Sequence, residues 1–521
     1  MACLPQRSCE QRFVCRFVFA GFIAFASAPS AAQLTPADFE TPEYFKNWGL
    51  KYTLASDAYA LGFTGAGVKI GIADTQAQLS HPEFAGRVYW PSPQPAFPTP
   101  GYPDFPEHGT HVMGVAAAAL NDIGMMGVAF DASIANVVAV GETGYPESAD
   151  WAQELVRADV SVMNASFGPP VAPGESFPDG AENPNYEQVD FQFYYVGEVV
   201  ERAQSVKTLA DADVVMVFSA GNNRNAQPNA SVLPNGSGSL PLVTLDNTDL
   251  GYTDNSEDAI YRLYTDDADS QNPGTWDSNQ VQQSVAREKS TEIQEMNLAG
   301  TLIAVTAVDI NEQTNGVTLA SFSNECGIAA DWCIAAPGVD IYSTVPLSTY
   351  AGGAKWSGTS MAAPYVAGSA AVLRQAFPYM TARQIIEVLL TTATGVALDP
   401  DLGPVLDLNQ KTDPILVAQF GHGLVNIGRA VKGPIEFGHP SLVEGNESIF
   451  EPIFAVDTKG HDSVWRNDIT GLGGFSKAGA GMLTLTGSNT YTGDTTITGG
   501  ILRVNGSIAD SRLLTIGAQA T

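Results

Sequence analysis

The sequence predicts an α/β fold, a parallel sheet with helices on both faces, followed near its C-terminal end by the start of a right-handed parallel β-helix. Apolar runs recur at 68–73, 134–140, 160–163, 214–218 and 302–308. Runs without alternation suit strands buried on both faces, as a helix-covered parallel sheet requires. Helical stretches fall between or after them, at 111–120, 196–212, 360–377 and 381–390. Between Gly471 and Gly506, short stretches alternating apolar residues with Thr are punctuated by Gly and Asn, the pattern of stacked parallel rungs.

Taken in order, residues 1–32 hold Arg7, Arg12 and Arg16, an apolar core from Phe17 to Phe25, and the small-residue tail Ser30-Ala31-Ala32. This is the layout of a secretory signal peptide, with a core too short to span a bilayer as a helix; an uncleaved anchor is the competing reading. No other segment has the length and apolarity of a membrane helix. In 33–60, Thr35-Pro36 and Thr41-Pro42 set a capping hydroxyl before a proline, so short helices are expected. The main domain is expected at 61–433, with polar insertions near 169–190 and 223–296. Within it Thr381 and Gln384 have capping-box spacing. Residues 434–470 are expected to be a linker and 471–521 an incomplete repeat. One rung cannot bury its own faces, so the chain is expected to be part of a longer one. The alternative is a short β-rich tail folded onto the preceding domain.

At 521 residues the chain is too long for one ordinary domain. A net charge of −31 argues against nucleic acid or anionic lipid as a partner. Cys3, Cys9 and Cys15 lie in the leader, which leaves Cys326 and Cys333 as an even pair in an exported protein. A disulfide closing a small loop is expected, contributing roughly 2 to 3 kcal/mol; the alternative is a buried thiol pair.

The chemistry is concentrated in a few motifs. Gly358-Thr359-Ser360-Met361-Ala362-Ala363-Pro364 puts a serine at a loop-to-helix junction. A serine hydroxyl becomes a useful nucleophile when a histidine takes its proton and a carboxylate fixes that histidine's tautomer. Upstream, Asp74 ends an apolar run and His108 opens His108-Gly109-Thr110-His111. Asn222 follows the run 214–218, where a side-chain amide can point at a developing oxyanion.

These four pieces in this order resemble the subtilisin-like (S8 family) serine proteases, over roughly residues 60–432. The resemblance implies a catalytic triad of Asp74, His108 and Ser360, and an oxyanion hole from the Asn222 side chain and the Ser360 backbone N–H. It makes Asn164-Ala165-Ser166-Phe167-Gly168 the counterpart of the substrate-binding strand, beside which a peptide adds in extended form. Ala220 and Gly221 leave space near the specificity pocket. Catalysis of this kind requires no cofactor and no metal. His111 with His108 suggests a metal pair, but no acidic third ligand is recognisable, so a structural second histidine is the better reading. Thr75-Gln76 stands where this family usually has Thr or Ser and then Gly, so a strained turn is expected after Asp74. Subtilisin-like folds often hold structural calcium in acidic loops, and residues 246–269 are acidic. No Asp-x-Asp-x-Asp-Gly loop is present, so a solvated loop is the better reading and no calcium site is assigned.

The segment Gly471 to Ser507 is similar to the passenger-associated repeat of autotransporters, Gram-negative proteins that carry a β-helical stalk to the cell surface through their own C-terminal barrel. This implies an exported serine endopeptidase, on the outer membrane or released, whose partners are protein or peptide substrates and the outer-membrane export machinery. It would process surface proteins or its own passenger. The rival from another class is a β-helical surface adhesin with a catalytically inactive protease-like head. An esterase or lipase ranks lower, since no Gly-x-Ser-x-Gly elbow surrounds Ser360.

Overall fold

The computed structural model describes residues 34–91, 106–140, 151–168, 196–225, 230–241, 296–347, 353–443 and 446–521. The leader and most of both insertions, including the acidic stretch 246–269, lie outside the described residues.

Each apolar run forms a strand. The main sheet contains β1 (Lys69–Asp74), β2 (Val88–Pro91), β3 (Ser133–Val138), β4 (Val162–Ala165), β5 (Val215–Ser219), β6 (Leu302–Ile310), β7 (Val317–Leu319) and β8 (Cys333–Pro337). Their order is β2-β3-β1-β4-β5-β6-β7, with β8 also paired to β6. Every pairing is parallel except that of β6 with β7. The edge strands β2 and β7 and the Cys333 strand were not anticipated, being too short to stand out as apolar runs.

Alternate residues of a strand point to opposite faces, and here each face has its own core. Val215 and Val217 of β5 pack in one with Val112, Val366 and Val372, while Met216 and Phe218 pack in the other with Leu155, Ala203 and Leu209. The helices are α1 (Pro106–Ala117), α2 (Trp151–Arg157), α3 (Val196–Asp211), α4 (Thr359–Ala376) and α5 (Ala382–Thr391). Every residue of α4 from Thr359 to Arg374 is buried, which is why the helix is rich in small residues. A Cβ on Gly368 would lie 2.5 Å from Val128 Cβ. The capping box forms as expected: Thr381 Oγ1 accepts from Gln384 N–H, and Gln384 Oε1 accepts from Thr381 N–H at 2.9 Å. Short helices also form before the sheet, with Thr41 Oγ1 capping Pro42–Lys46.

Two antiparallel pairs decorate the sheet: β9 (Ile341–Thr344) with β10 (Gly353–Trp356), and β11 (Gly395–Asp399) with β12 (Gly403–Asp407). Beyond them lie β13 (Ile453–Asp457), β14 (Ser463–Trp465), β15 (Gly474–Ala478), β16 (Met482–Leu485), β17 (Thr495–Ile497), β18 (Ile501–Val504) and β19 (Leu514–Ile516). They form two parallel ladders, β13-β15-β17-β19 and β14-β16-β18. Partners recur at intervals of about twenty residues, one repeat of a stacked chain. The stretch 434–470, expected to be a linker, thus supplies β13 and β14, the first layer of the stack.

That layer is held by aromatic packing. The Phe437 ring stacks on Phe475 at 5.4 Å and on Phe454 at 5.5 Å, with Tyr491 edge-on at 4.9 Å. Trp465, fully buried, donates its Nε1–H to Tyr379 Oη at 3.1 Å. These rings share a continuous core with α4 and α5. The stack therefore buries its first layer against the α/β domain, and residues 35–521 form one compact unit.

Candidate active site

Asp74 is the last residue of β1, Asn164 and Ala165 end β4, and Ala220, Gly221 and Asn222 follow β5 directly. Ligand sites of open parallel sheets lie outside these carboxyl ends. His108 lies in the first turn of α1, and Ser360 is the second residue of α4.

Asp74 is 1% exposed. Its Oδ1 accepts the Thr75 N–H at 2.7 Å and meets His108 Nδ1 at 2.7 Å. A carboxylate oxygen only accepts, so Nδ1 carries the proton, and in the neutral imidazole the lone pair falls on Nε2. Burial works to lower the His108 pKa, but the charge and hydrogen bond of Asp74 outweigh it and raise the pKa above the ordinary 6.5. The turn after Asp74 needs no glycine, because Gln76 has no left-handed backbone. Thr75 is occupied: its Oγ1 accepts the Gly109 N–H at 2.9 Å, and a Cβ on Gly109 would lie 2.3 Å from the Thr75 carbonyl oxygen. This contact sets α1 against the end of β1.

His111 has a different setting. It is fully buried, stacks on Trp356 at 4.6 Å, and its Nε2 meets the Ala354 carbonyl at 3.2 Å. Burial pushes its pKa down to about 3. A neutral imidazole packed this way belongs to the core, and no cluster of metal-ligating side chains occurs among the described residues.

Ser360 is positioned by Pro364. Proline has no N–H to give the carbonyl four residues earlier, so the Ser360 carbonyl lacks its helical donor. The Ser166 hydroxyl supplies one at 3.0 Å, while the Asn164 Nδ2–H donates to that hydroxyl at 2.9 Å. In return Ser360 Oγ donates to the Ser166 carbonyl at 3.2 Å. The segment 164–168 is thereby tied to the start of α4. No hydrogen bond joins Ser360 Oγ to His108 among the described residues, although the implied triad calls for one. The hydroxyl is engaged by Ser166 instead, and such bonds commonly tighten only once substrate is bound.

Asn222 is exposed. Its Oδ1 accepts both the Thr359 N–H and the Thr359 hydroxyl, each at 2.9 Å. A backbone N–H can only donate, so the amide oxygen faces Thr359 and the Nδ2–H2 group faces away. An ideal Cβ on Gly358 would lie 3.7 Å from this nitrogen. The Ser360 N–H, in the first turn, has no intrahelical acceptor. Phe167 packs edge-on to Trp151 at 5.9 Å, and Ala220 is buried with its N–H on the Val305 carbonyl.

Sequence reasoning missed Thr359, which orients Asn222, and the pairing of Pro364 with Ser166; both lay inside motifs already singled out. It also missed Asn235, whose amide touches Gly168 and Gly221 and which no motif marks. Cys326 and Cys333 form a disulfide, both fully buried.

The subtilase family model matches residues 65–423, and a passenger-associated-transport-repeat model matches 475–504. The chain belongs to the subtilase family of serine-type peptidases and carries an autotransporter passenger repeat behind the peptidase domain. It is 32% identical over 525 residues to an extracellular serine protease of Serratia marcescens, covering 91% of this chain and 44% of that protein. It is 38% identical over 200 residues to the Neisserial autotransporter lipoprotein NalP of Neisseria meningitidis, covering 38% and 16%. The crystal structure of fervidolysin from Fervidobacterium pennivorans aligns with a TM-score of 0.43 and 23% identity over 74% of this chain and 46% of that one. The chain spans less than half the length of these curated relatives.

Proposed function

We propose that this chain is an exported serine endopeptidase of the autotransporter type, with Ser360 as nucleophile, His108 as base and Asp74 as its orienting carboxylate. The observation that carries the reading is the 2.7 Å contact between Asp74 Oδ1 and His108 Nδ1, which holds a proton on Nδ1 and so directs the lone pair of the neutral imidazole to Nε2. In the reaction Ser360 Oγ turns from the Ser166 carbonyl toward His108 and gives up its proton while attacking the scissile carbonyl. His108 later returns that proton to the leaving amine. The oxyanion is met by Asn222 Nδ2–H and the Ser360 N–H. Substrate lies extended along 164–168 and is held by main-chain bonds.

Support for export comes from the leader, from the passenger repeat, and from the relatives, one named as extracellular and one as an autotransporter. Presentation at the outer membrane, with surface proteins or the chain's own passenger as substrates, follows from the same likeness. No helix among the described residues is long and apolar enough to cross a membrane.

One observation favours the rival, an adhesin with an inactive head: Ser360 Oγ is bonded to Ser166 rather than to His108. A fluorophosphonate probe decides between them. Labelling of the wild type but not of Ser360→Ala supports the protease, and a folded wild type that stays unlabelled supports the adhesin.

A further inference from the structure

We propose that Asn235 is a specificity-determining residue, filling the space between the two walls of the substrate cleft so that the residue preceding the scissile bond must be small. The proposal rests on the protease reading above and names the substrate class of that same site.

The walls are the segments ending in Gly168 and Gly221. An absent side chain at each should leave an open slot between them. It does not, because the slot is occupied. An ideal Cβ on Gly168 would lie 2.6 Å from Asn235 Oδ1, and one on Gly221 would lie 2.6 Å from Asn235 Nδ2. Both distances are shorter than real Cβ contacts, so the amide sits where two side chains would project. Gly221 is fixed as glycine for a second reason, its φ of +105°. Asn235 is 5% exposed. Its Nδ2–H donates to Asn223 Oδ1 at 3.4 Å, while its own Oδ1 is buried without a partner. A large apolar group entering here would have to displace the amide.

The amide cannot readily swing away with its backbone. The Asn235 N–H is bound to the Ala220 carbonyl at 2.9 Å. The flanking residues are clamped from one stretch of chain. Asn324 donates its N–H to the Gly221 carbonyl at 2.9 Å and its Nδ2–H to the Leu233 carbonyl at 3.2 Å. Glu325 N–H reaches the Ser231 carbonyl at 2.7 Å, and Trp332 Nε1–H reaches the Gly238 carbonyl at 2.9 Å. The Cys326–Cys333 disulfide closes that stretch. The substrates so selected are peptides with Gly, Ala or Ser before the scissile bond.

The test compares hydrolysis by the full chain of tetrapeptide anilides that differ only in their last residue, Ala or Phe, with sites counted by fluorophosphonate titration. The wild type should favour Ala in kcat/KM by about tenfold or more, and Asn235→Gly should shift the ratio toward Phe by about tenfold or more. Asn235→Ser, which keeps a polar side chain, should fall between and guards against a glycine variant that misfolds. A wild type that prefers Phe overturns the proposal, as does a ratio unchanged in both variants when their sites titrate normally. A folded wild type that neither titrates nor cleaves removes the protease reading itself, and this proposal with it.

Discussion

Buried polar atoms are treated differently in the two halves of the molecule. Around the ends of the central strands, Asp74 Oδ2, Asn164 Oδ1 and Asn235 Oδ1 are buried with no hydrogen-bond partner, as is Thr306 Oγ1 within β6. In the stacked strands, no described residue from 446 onward leaves such an atom unpaired. Even the fully buried Lys477 is saturated, its three Nζ–H donors shared among the carbonyls of Ala478, Gly479, Gly481 and Gly499 at 2.7 to 3.3 Å. Thr458, Asn489 and Thr495 also have partners, Thr458 and Asn489 on backbone groups and Thr495 on the Tyr491 and Ser511 hydroxyls. An unpaired buried polar group costs stability, so a fold tolerates several together where they serve something other than stability. The α/β half gives up some cohesion at its cleft; the stack gives up none.

The largest effect that tests this contrast is chemical. Ser360→Ala should lower kcat by about a millionfold while leaving the unfolding midpoint within about 0.5 kcal/mol of the wild type in stability, apart from the loss of one weak hydrogen bond. Peptide hydrolysis and urea unfolding of the two purified forms measure both. A large loss of stability would mean that the hydroxyl is structural. Trp465→Ala is the mirror image. It should cost about 3 to 5 kcal/mol in unfolding free energy and leave kcat per titrated site unchanged, because Trp465 joins Tyr379 and the Phe475 ring but no cleft residue. If activity fell with stability intact, the two halves would be coupled through the cleft.

Asn222→Ala comes next. With Oδ1 fixed by Thr359, the loss falls on the free Nδ2–H2 group, and kcat should drop by about 10² to 10³ with KM little changed. A rise in KM at constant kcat would mean that Asn222 binds substrate rather than the oxyanion.

How far the sequence revealed this contrast depends on range. The five core strands were legible because a strand covered on both faces must be apolar throughout, as β5 is from Val215 to Phe218. The capping box at Thr381 and the local cap at Thr41 were legible because they are written within a few residues. The first layer of the stack was not. Ile453–Asp457 alternates buried and exposed residues and has proline before it, so by itself it resembles a connection, and its status as a strand is conferred by β15, about twenty residues on. Likewise, the four motif residues could be named, but not that Pro364 frees a carbonyl for Ser166, nor that Asn235 fills the space beside two glycines. Those facts depend on contacts between segments far apart in the chain.

The last expected effect lies where the halves meet, and it is a matter of sign. Glu387 of α5 is 7% exposed, with Oε1 unpaired. Burial pushes its pKa up from 4.5 to about 8; Arg383 opposes this, and Glu451 and Glu436 add to it. Below pH 4.5 it is protonated whether the chain is folded or not and has no effect. As pH rises to about 8 the unfolded chain ionises while the native one holds its proton, so stability falls by a few kcal/mol across that window. Glu436 has the opposite sign. Burial would raise its pKa, but the hydrogen bond and charge of His439, with those of Lys411, hold it at about 2. Its contribution is complete above pH 4.5 and is lost as pH falls toward 2. The junction should therefore be most stable near pH 4 to 5, between the two windows. Glu387→Gln should flatten the fall above pH 4.5 and Glu436→Gln the loss below it, read from urea midpoints taken from pH 3 to pH 8. A Glu387→Gln variant whose alkaline slope matches the wild type would show that the carboxyl reaches water at this junction.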